Sequence, residues 1–214
     1  MRTILMRCAL ALTAALPAAM LGTGAAEACA RSPVAGATAA VRAGERLDQA
    51  LADAAIRAEV NYHRCRAGLA PLKQADGLRR VASRHALWMA KSRSLSHKSS
   101  TPGQSTTLAR IKSSGLKIRA GSENIGYLGR FQFGNGAFRI TDASGCGFAA
   151  ANGAAIPPHS YASLARSIVQ LWMDSPAHRR NILDRKVTRV GSGVGYDPRA
   201  PHCGNFYVAQ DFAG

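Results

Sequence analysis

Aromatic and acidic residues are scarce in this chain of 214 residues. Phe, Trp and Tyr make up 6% of it, and 12 Asp and Glu stand against 28 Lys and Arg, for a formal net charge of +16. The aromatics do not alternate with the basic residues, and no basic run has the density of a nucleic-acid or heparin patch, so no specific nucleic-acid partner is expected. The positive surplus still favours anionic polymers and membrane headgroups, with solubility as the simpler explanation.

Long apolar runs are missing after the N-terminus. Residues 8–21 form an apolar stretch that follows two arginines and precedes small residues up to Ala28, which is the layout of an export signal. Pro17 interrupts this stretch, which is shorter than the roughly 20 residues needed to cross a bilayer, so a transmembrane span is not expected. We predict a signal peptide over residues 1–28 and a periplasmic or extracellular location after its cleavage.

Cysteine is sparse as well, with five residues in the chain. Cleavage after residue 28 leaves four of them: Cys29, Cys65, Cys146 and Cys203. Cleavage after Ala26 keeps the same four and cleavage after Ala30 removes the first, while Glu27 argues against lipid modification of a mature N-terminal cysteine. An even number in an exported protein predicts two disulfides, and four cysteines allow three pairings. Of these we favour Cys29 with Cys65 and Cys146 with Cys203, although the sequence leaves all three open.

Hydrophobic periodicity predicts one α+β domain over residues 45–214, after an Ala-rich linker over 29–44. Four helices are predicted. The first covers 46–66, the second is capped by Asp76, the third covers 106–112, and the fourth runs from Ser160 to about Asp174. The predicted strands are 122–128, 187–196 and 206–212, with the last two as a hairpin. The last helix should end before Pro176 and bury Leu164, Ile168 and Leu171. Between 129 and 159 the pattern breaks into Gly, Ala and Pro, which predicts an irregular insertion.

Three short segments carry the candidate chemistry. They are SHKS at 96–99, ENIG at 123–126 and WMDSPAHRRNIL at 172–183. Together with NYHRCRAGLAPL at 61–72 and YVAQDF at 207–212, they resemble the CAP superfamily of cysteine-rich secretory, antigen 5 and pathogenesis-related proteins, in its bacterial exported branch. The resemblance implies a three-layer α-β-α sandwich with a small antiparallel sheet.

The same resemblance implies a central cleft lined by His97, Glu123 and His178. Two imidazoles and a carboxylate form a donor set that suits zinc or another divalent cation, with a position left open to water. The three residues lie far apart in sequence, so spacing alone favours ordinary surface or hydrogen-bonded roles for each. Many animal relatives have a second acidic residue three positions after the tryptophan that Trp172 matches. This chain has Ser175 there, which predicts a weaker metal site or one completed by water.

Several neighbouring residues are interpreted as structural. Helical spacing places His85 on an apolar stripe, so we expect a packed, hydrogen-bonded core residue rather than a ligand. Asn181 should bind a nearby backbone group. The alternating Gly191, Gly193 and Gly195 predict close packing against a helix, and the loop residues His159 and His202 are not expected to join the metal site.

Three functions from different classes fit these features. The first is an exported binding module whose cleft holds a lipid, a wall fragment or another protein. The second is a metal-dependent hydrolase or protease in which Glu123 acts as the base on a metal-bound water. The third is a basic envelope protein that binds anionic polymers.

The binding module is the function we favour from sequence, acting as a monomer and without enzyme activity. The chain has no GxSxG elbow and no HExxH helix, which weakens the familiar hydrolase classes. A serine mechanism based on Ser96, Ser99 or Ser175 lacks an evident buried carboxylate. The superfamily has no one common activity, so the resemblance specifies the fold better than the function.

Overall fold

The computed structural model describes residues 29–42 and 46–214. The predicted signal peptide and the last part of the predicted linker lie outside the described residues. In the described part the helices are α1 (Gln49–Arg66), α2 (Asp76–Ser92), α3 (Thr107–Lys112), α4 (Tyr161–Asp174) and α5 (Pro176–Ile182). The strands are β1 (Lys73–Gln74), β2 (Gly121–Gly129), β3 (Phe138–Asp142), β4 (Gly147–Ala150), β5 (Arg189–Asp197) and β6 (Asn205–Ala213).

The main sheet has the strand order β1-β5-β6-β2. β5 and β6 form the predicted antiparallel hairpin, β2 pairs antiparallel with β6, and the short β1 runs parallel to β5. β2 is therefore an edge strand, and the candidate site lies along it. Within the described residues no helix is both long and apolar enough to cross a membrane.

Helices cover both faces of the sheet because β6 alternates its side chains between two cores. Phe206, Val208 and Phe212 pack on one face with residues of α1 and α4. Tyr207 and Ala209 pack on the other face with residues of α2. The layers are therefore helix, sheet and helix, and the α+β class and the three-layer arrangement are confirmed.

The alternating glycines of β5 let α2 lie directly on the sheet. A Cβ on Gly193 would overlap the Cα of Ser83, and a Cβ on Gly195 would overlap the carbonyl group of Ala86. The prediction of close helix packing at these glycines is confirmed.

Side chains of α1 form hydrogen bonds with backbone groups of β5 that have no partner strand, because β1 is only two residues long. The Ser192 backbone N–H donates to Asp53 Oδ1 at 2.6 Å. The amide of Gln49 both accepts from the Val194 N–H, at 2.9 Å, and donates to its carbonyl oxygen, at 2.7 Å. These bonds take the place of a longer β1 and close this edge of the sheet.

Two local predictions are corrected. Asp76 is the first residue of α2 and not its cap, because Ala75 holds the cap position and the Asp76 carboxylate accepts from the side chains of Gln74 and Arg79. Leu171 is 42% exposed, whereas Trp172 is fully buried. The buried stripe of α4 runs through Leu164, Ile168 and Trp172 in steps of four, which leaves Leu171 off this face of the helix.

The segment 129–159 was predicted to be irregular, and this is wrong in part. β3 and β4 form a small antiparallel sheet within it. A cluster of aromatic rings from Phe131, Phe133, Phe138 and Phe148 packs there, with His202 from the β5–β6 loop at its side. The Cys146–Cys203 disulfide joins the same two segments, and Cys29–Cys65 ties the N-terminal segment to α1. Both favoured pairings are confirmed.

Candidate functional site

The candidate site is built around Glu123, which lies on β2 and is 5% exposed. Its Oε1 accepts from His97 Nδ1 at 2.7 Å and from the Thr107 hydroxyl at 3.0 Å. Arg110 donates from Nη2 to Oε1 at 2.7 Å and from Nε to Oε2 at 2.8 Å. Both carboxylate oxygens are therefore fully engaged by neighbouring side chains.

Arg110 also fixes the loop that carries His97. It is completely buried on the short helix α3, which Thr106 caps through a hydrogen bond from the Ala109 N–H. Beyond the carboxylate, its guanidinium donates to the carbonyl oxygens of His97, at 2.6 Å, and Gln104, at 2.9 Å. One side chain thus connects α3, the loop after α2 and strand β2.

The protonation state of Glu123 determines which ring nitrogen of His97 carries the proton. Burial would raise the pKa of Glu123, but the hydrogen bonds from His97 and Arg110 outweigh it and lower the pKa to about 2. The carboxylate carries no proton at neutral pH, so His97 Nδ1 must be the donor. In the neutral imidazole, Nε2 is then an acceptor on a side chain that is 52% exposed.

His178 approaches from the other side of β2, on α5. Its carbonyl oxygen accepts from the side-chain amide of Asn124 at 3.2 Å. Asn181 donates to Asn124 Oδ1 at 2.8 Å and to the carbonyl oxygen of Glu123 at 3.3 Å, which confirms its structural role. α5 is therefore tied to the edge strand at the position of Glu123.

The imidazole of His178 is neutral at pH 7. Burial, and then the charge of the nearby His97, lower its pKa below the usual value. Among the described residues its Nδ1 is buried and has no hydrogen-bond partner. A buried ring nitrogen without a protein partner calls for an explanation, such as an ordered water or an ion.

Two further titratable residues lie behind the carboxylate. His85 is buried as expected, with Nε2 2.9 Å from the Ser96 carbonyl oxygen and 4.0 Å from Glu123 Oε2. Its pKa is lowered to about 4, chiefly by burial. Asp211 is fully buried opposite Glu123 on β6. Burial and the charge of Glu123 raise the pKa of Asp211 well above its usual value.

The hydrogen bonds on Glu123 leave the imidazoles of His97 and His178 as the candidate donors for a cation. The described residues contain no group of three or more His, Cys, Asp and Glu placed to hold a metal ion. Glu123 accepts three hydrogen bonds at Oε1 and one at Oε2, and its bond to Nδ1 orients the ring of His97. His97 Nε2 and the ring of His178 fit as donors, and metal binding by these residues stays a prediction.

The serine alternatives find no support among the described residues. Ser96 Oγ accepts from the Lys98 N–H, and the Ser99 hydroxyl donates to the Gln104 carbonyl oxygen. No serine hydroxyl is paired with His97 or His178 in this part of the chain, and a nucleophile needs such a base within hydrogen-bond reach.

Sequence reasoning missed Arg110, Thr107 and Asp211. Asp211 lies in the YVAQDF segment, so that motif could have suggested it. Arg110 and Thr107 carried no signal, because their importance comes from contact with a strand that follows α3 in the chain.

The family model for the cysteine-rich secretory protein family, CAP, matches residues 57–212. The chain therefore belongs to this family. A comparison with curated proteins finds no match.

Two solved structures share the fold. An extracellular protein with an SCP domain from Bacillus anthracis is 21% identical, with a TM-score of 0.51 over 80% of this chain. This chain spans 45% of that protein. An outer surface protein from Borrelia burgdorferi is 14% identical, with a TM-score of 0.52 over 80% of this chain and 98% of its own.

Proposed function

We propose that this protein is an exported, non-catalytic binding module that holds its ligand in the cleft between His97 and His178, with a divalent cation able to bind to the two imidazoles. The observation that carries the proposal is the pairing of an oriented His97, held by Glu123, with a neutral His178 whose Nδ1 has no partner among the described residues. When bound, the cation would supply a positive centre for an anionic or carbonyl group of the ligand.

Export is supported by two disulfides, which persist in oxidising compartments. The N-terminal stretch with the composition of a signal peptide agrees with this. Both features fit a periplasmic or extracellular location.

A hydrolytic function is disfavoured by the state of Glu123. A general base works best with a pKa near the working pH, whereas the pKa of Glu123 is about 2. Two bonds from Arg110 also occupy the oxygens that would take the proton. The carboxylate is therefore suited to orienting His97.

Calorimetry with zinc and with calcium tests the proposal. We expect the mature protein to bind zinc more tightly than calcium, because neutral imidazole suits zinc whereas calcium prefers oxygen ligands. The double variant His97→Ala with His178→Ala should lose zinc binding. His202→Asn is a matched control outside the cleft, since Asn tolerates the positive φ of 57° at that position.

Preference for calcium, or equal zinc binding in the double variant, would contradict imidazole ligation. Zinc binding should also weaken below about pH 6, because imidazole must be neutral to bind a metal.

A further inference from the structure

A basic groove lies on the outer side of α2, away from His97 and His178. It has a volume of 610 Å³ and is lined by Arg46, Arg79, Arg80, Arg84, Leu87 and Tyr196, among others. We call it the arginine groove. The basic residues looked scattered along the sequence, but the fold brings four guanidinium groups to one surface.

Two separate elements assemble this groove. Arg80 and Arg84 are four residues apart on α2, so they lie on one face of the helix. Arg46 comes from the chain just before α1. The bonds of Gln49, at the start of α1, to Val194 of β5 hold this end of α1 against the sheet.

Among the described residues, Arg79 is the one arginine of the groove that forms an ion pair. Arg79 pairs with Asp76 at 2.9 Å. Within the described residues, Arg46, Arg80 and Arg84 form no ion pair and no hydrogen bond to a side chain, and all three are exposed. Guanidinium groups free of acidic partners are well suited to bind carboxylate, sulfate or phosphate groups.

The groove also contains buried polar atoms without partners. Ser83, which lines it, has a buried hydroxyl oxygen with no hydrogen-bond partner in the described part of the chain, and the same holds for Arg79 Nε. Buried polar groups are ordinarily satisfied. Both atoms are buried, and Ser83 Oγ lies against Gly193 of β5, so the exposed guanidinium groups are the binding groups of the groove.

We propose that the arginine groove binds a linear acidic polysaccharide. Its anionic groups would pair with Arg46, Arg80 and Arg84, and its sugar rings would lie against Leu87 and Tyr196. Leu87 is 52% exposed. The Tyr196 hydroxyl is engaged by the Cys203 carbonyl oxygen at 2.6 Å, so that residue offers its ring.

The shape of the groove favours a polysaccharide over other anionic partners. Arg79 is recessed, with its side chain 27% exposed, and a flat bilayer surface would reach mainly the outer guanidinium groups. Single-stranded nucleic acid needs a series of aromatic platforms, whereas Tyr196 is the one aromatic ring among the described lining residues.

Calorimetric titration with a heparin-derived oligosaccharide and with oligogalacturonate tests the proposal. We expect wild-type protein to bind at least one of them, with affinity that falls as salt is raised. The double variant Arg80→Gln with Arg84→Gln should bind on the order of tenfold more weakly, since each exposed charge contact contributes modestly. Its thermal stability should be unchanged, because neither side chain makes a hydrogen bond among the described residues.

The matched control removes two positive charges outside the groove, by Lys117→Gln with Arg139→Gln. Both residues are exposed and neither lines the groove. Equal weakening in the control and the groove variant would overturn the proposal in favour of general electrostatic attraction. It would also be overturned if neither oligosaccharide bound, or if only phosphatidylglycerol vesicles or a single-stranded oligonucleotide bound.

Discussion

Replacing Arg110 with Met should destabilise the protein strongly at neutral pH and far less in acid. Arg110 is completely buried and donates two hydrogen bonds to Glu123. Removing one partner of a buried pair leaves an uncompensated charge and typically costs about 3–5 kcal/mol. Met also loses the hydrogen bonds to the carbonyl oxygens of His97 and Gln104, which do not titrate, so the charge of Glu123 accounts for the pH-dependent part of the effect.

The pKa of Glu123 gives an independent magnitude. It lies near 2 against a usual value of 4.5, which corresponds to about 3 kcal/mol of stability for the ionised form. Because the folded pKa is depressed, this stabilisation is present above the unfolded value and is lost as pH falls through about 2. Without Arg110, burial and the remaining groups would set the pKa, and we expect it to rise above its usual range.

Chemical denaturation of both proteins at about pH 7 and pH 3.5 checks this. We expect the free energy of unfolding to fall by about 3–5 kcal/mol at neutral pH and by much less at the acid pH, where Glu123 of the variant is protonated. Adding Glu123→Gln to the variant should restore part of the loss at neutral pH, because no charge then remains buried and unpaired.

Arg64 provides the matched control for this experiment. It is 3% exposed and donates to the carbonyl oxygens of Ala70, Ile182 and Asp184, with no hydrogen bond to a carboxylate. Arg64→Met should therefore be destabilising to a similar extent at both pH values. A loss in Arg110→Met of less than about 1 kcal/mol at neutral pH, or one equal at the two pH values, would refute the charge argument.

Two further predictions concern the sheet. Burial raises the pKa of Asp53 to about 6, so its ionised form destabilises the fold increasingly as pH rises through about 4 to 6. Asp53→Asn keeps the acceptor for the β5 edge. As pH rises from about 4 to about 7, the free energy of unfolding of this variant, measured by denaturation, should increase relative to that of the wild type by about 3 kcal/mol. A difference between the two proteins that does not change with pH would contradict the prediction. Gly193→Ala should lower the free energy of unfolding by about 1–3 kcal/mol or more, because the new methyl group would overlap the α2 backbone. Gly134→Ala, where a Cβ meets nothing within 4 Å, should be nearly neutral, and similar losses in the two variants would argue against close packing.

The helix positions followed from local sequence patterns. α1, α3 and α4 begin within three residues of their predicted starts, and Pro176 marks the end of α4 as expected. Helical and strand periodicity depend on neighbouring residues, which is why they can be predicted without knowledge of the fold. Leu171 was predicted to be buried, but the buried face of α4 runs through Ile168, Val169 and Trp172.

The alternating Gly191, Gly193 and Gly195 likewise predicted close packing, although the sequence did not identify α2 as the helix involved. The favoured disulfides form, yet the four cysteines by themselves allowed three pairings. The small sheet in segment 129–159 was not predicted from its irregular composition. Its aromatic residues come into contact only when the chain folds back on itself.

The sequence by itself determined the class of fold and the order of most elements, and through the family motifs it predicted the set of His97, Glu123 and His178. Only the tertiary structure decided that Arg110 saturates Glu123, that α5 carries His178 to the edge of β2, and that Arg46 joins the arginines of α2. The physical reason is that periodicity is a property of adjacent residues, whereas a buried ion pair or a shared groove depends on how distant segments pack. Those contacts are set by the joint burial of the two cores, and no single segment of the sequence contains them.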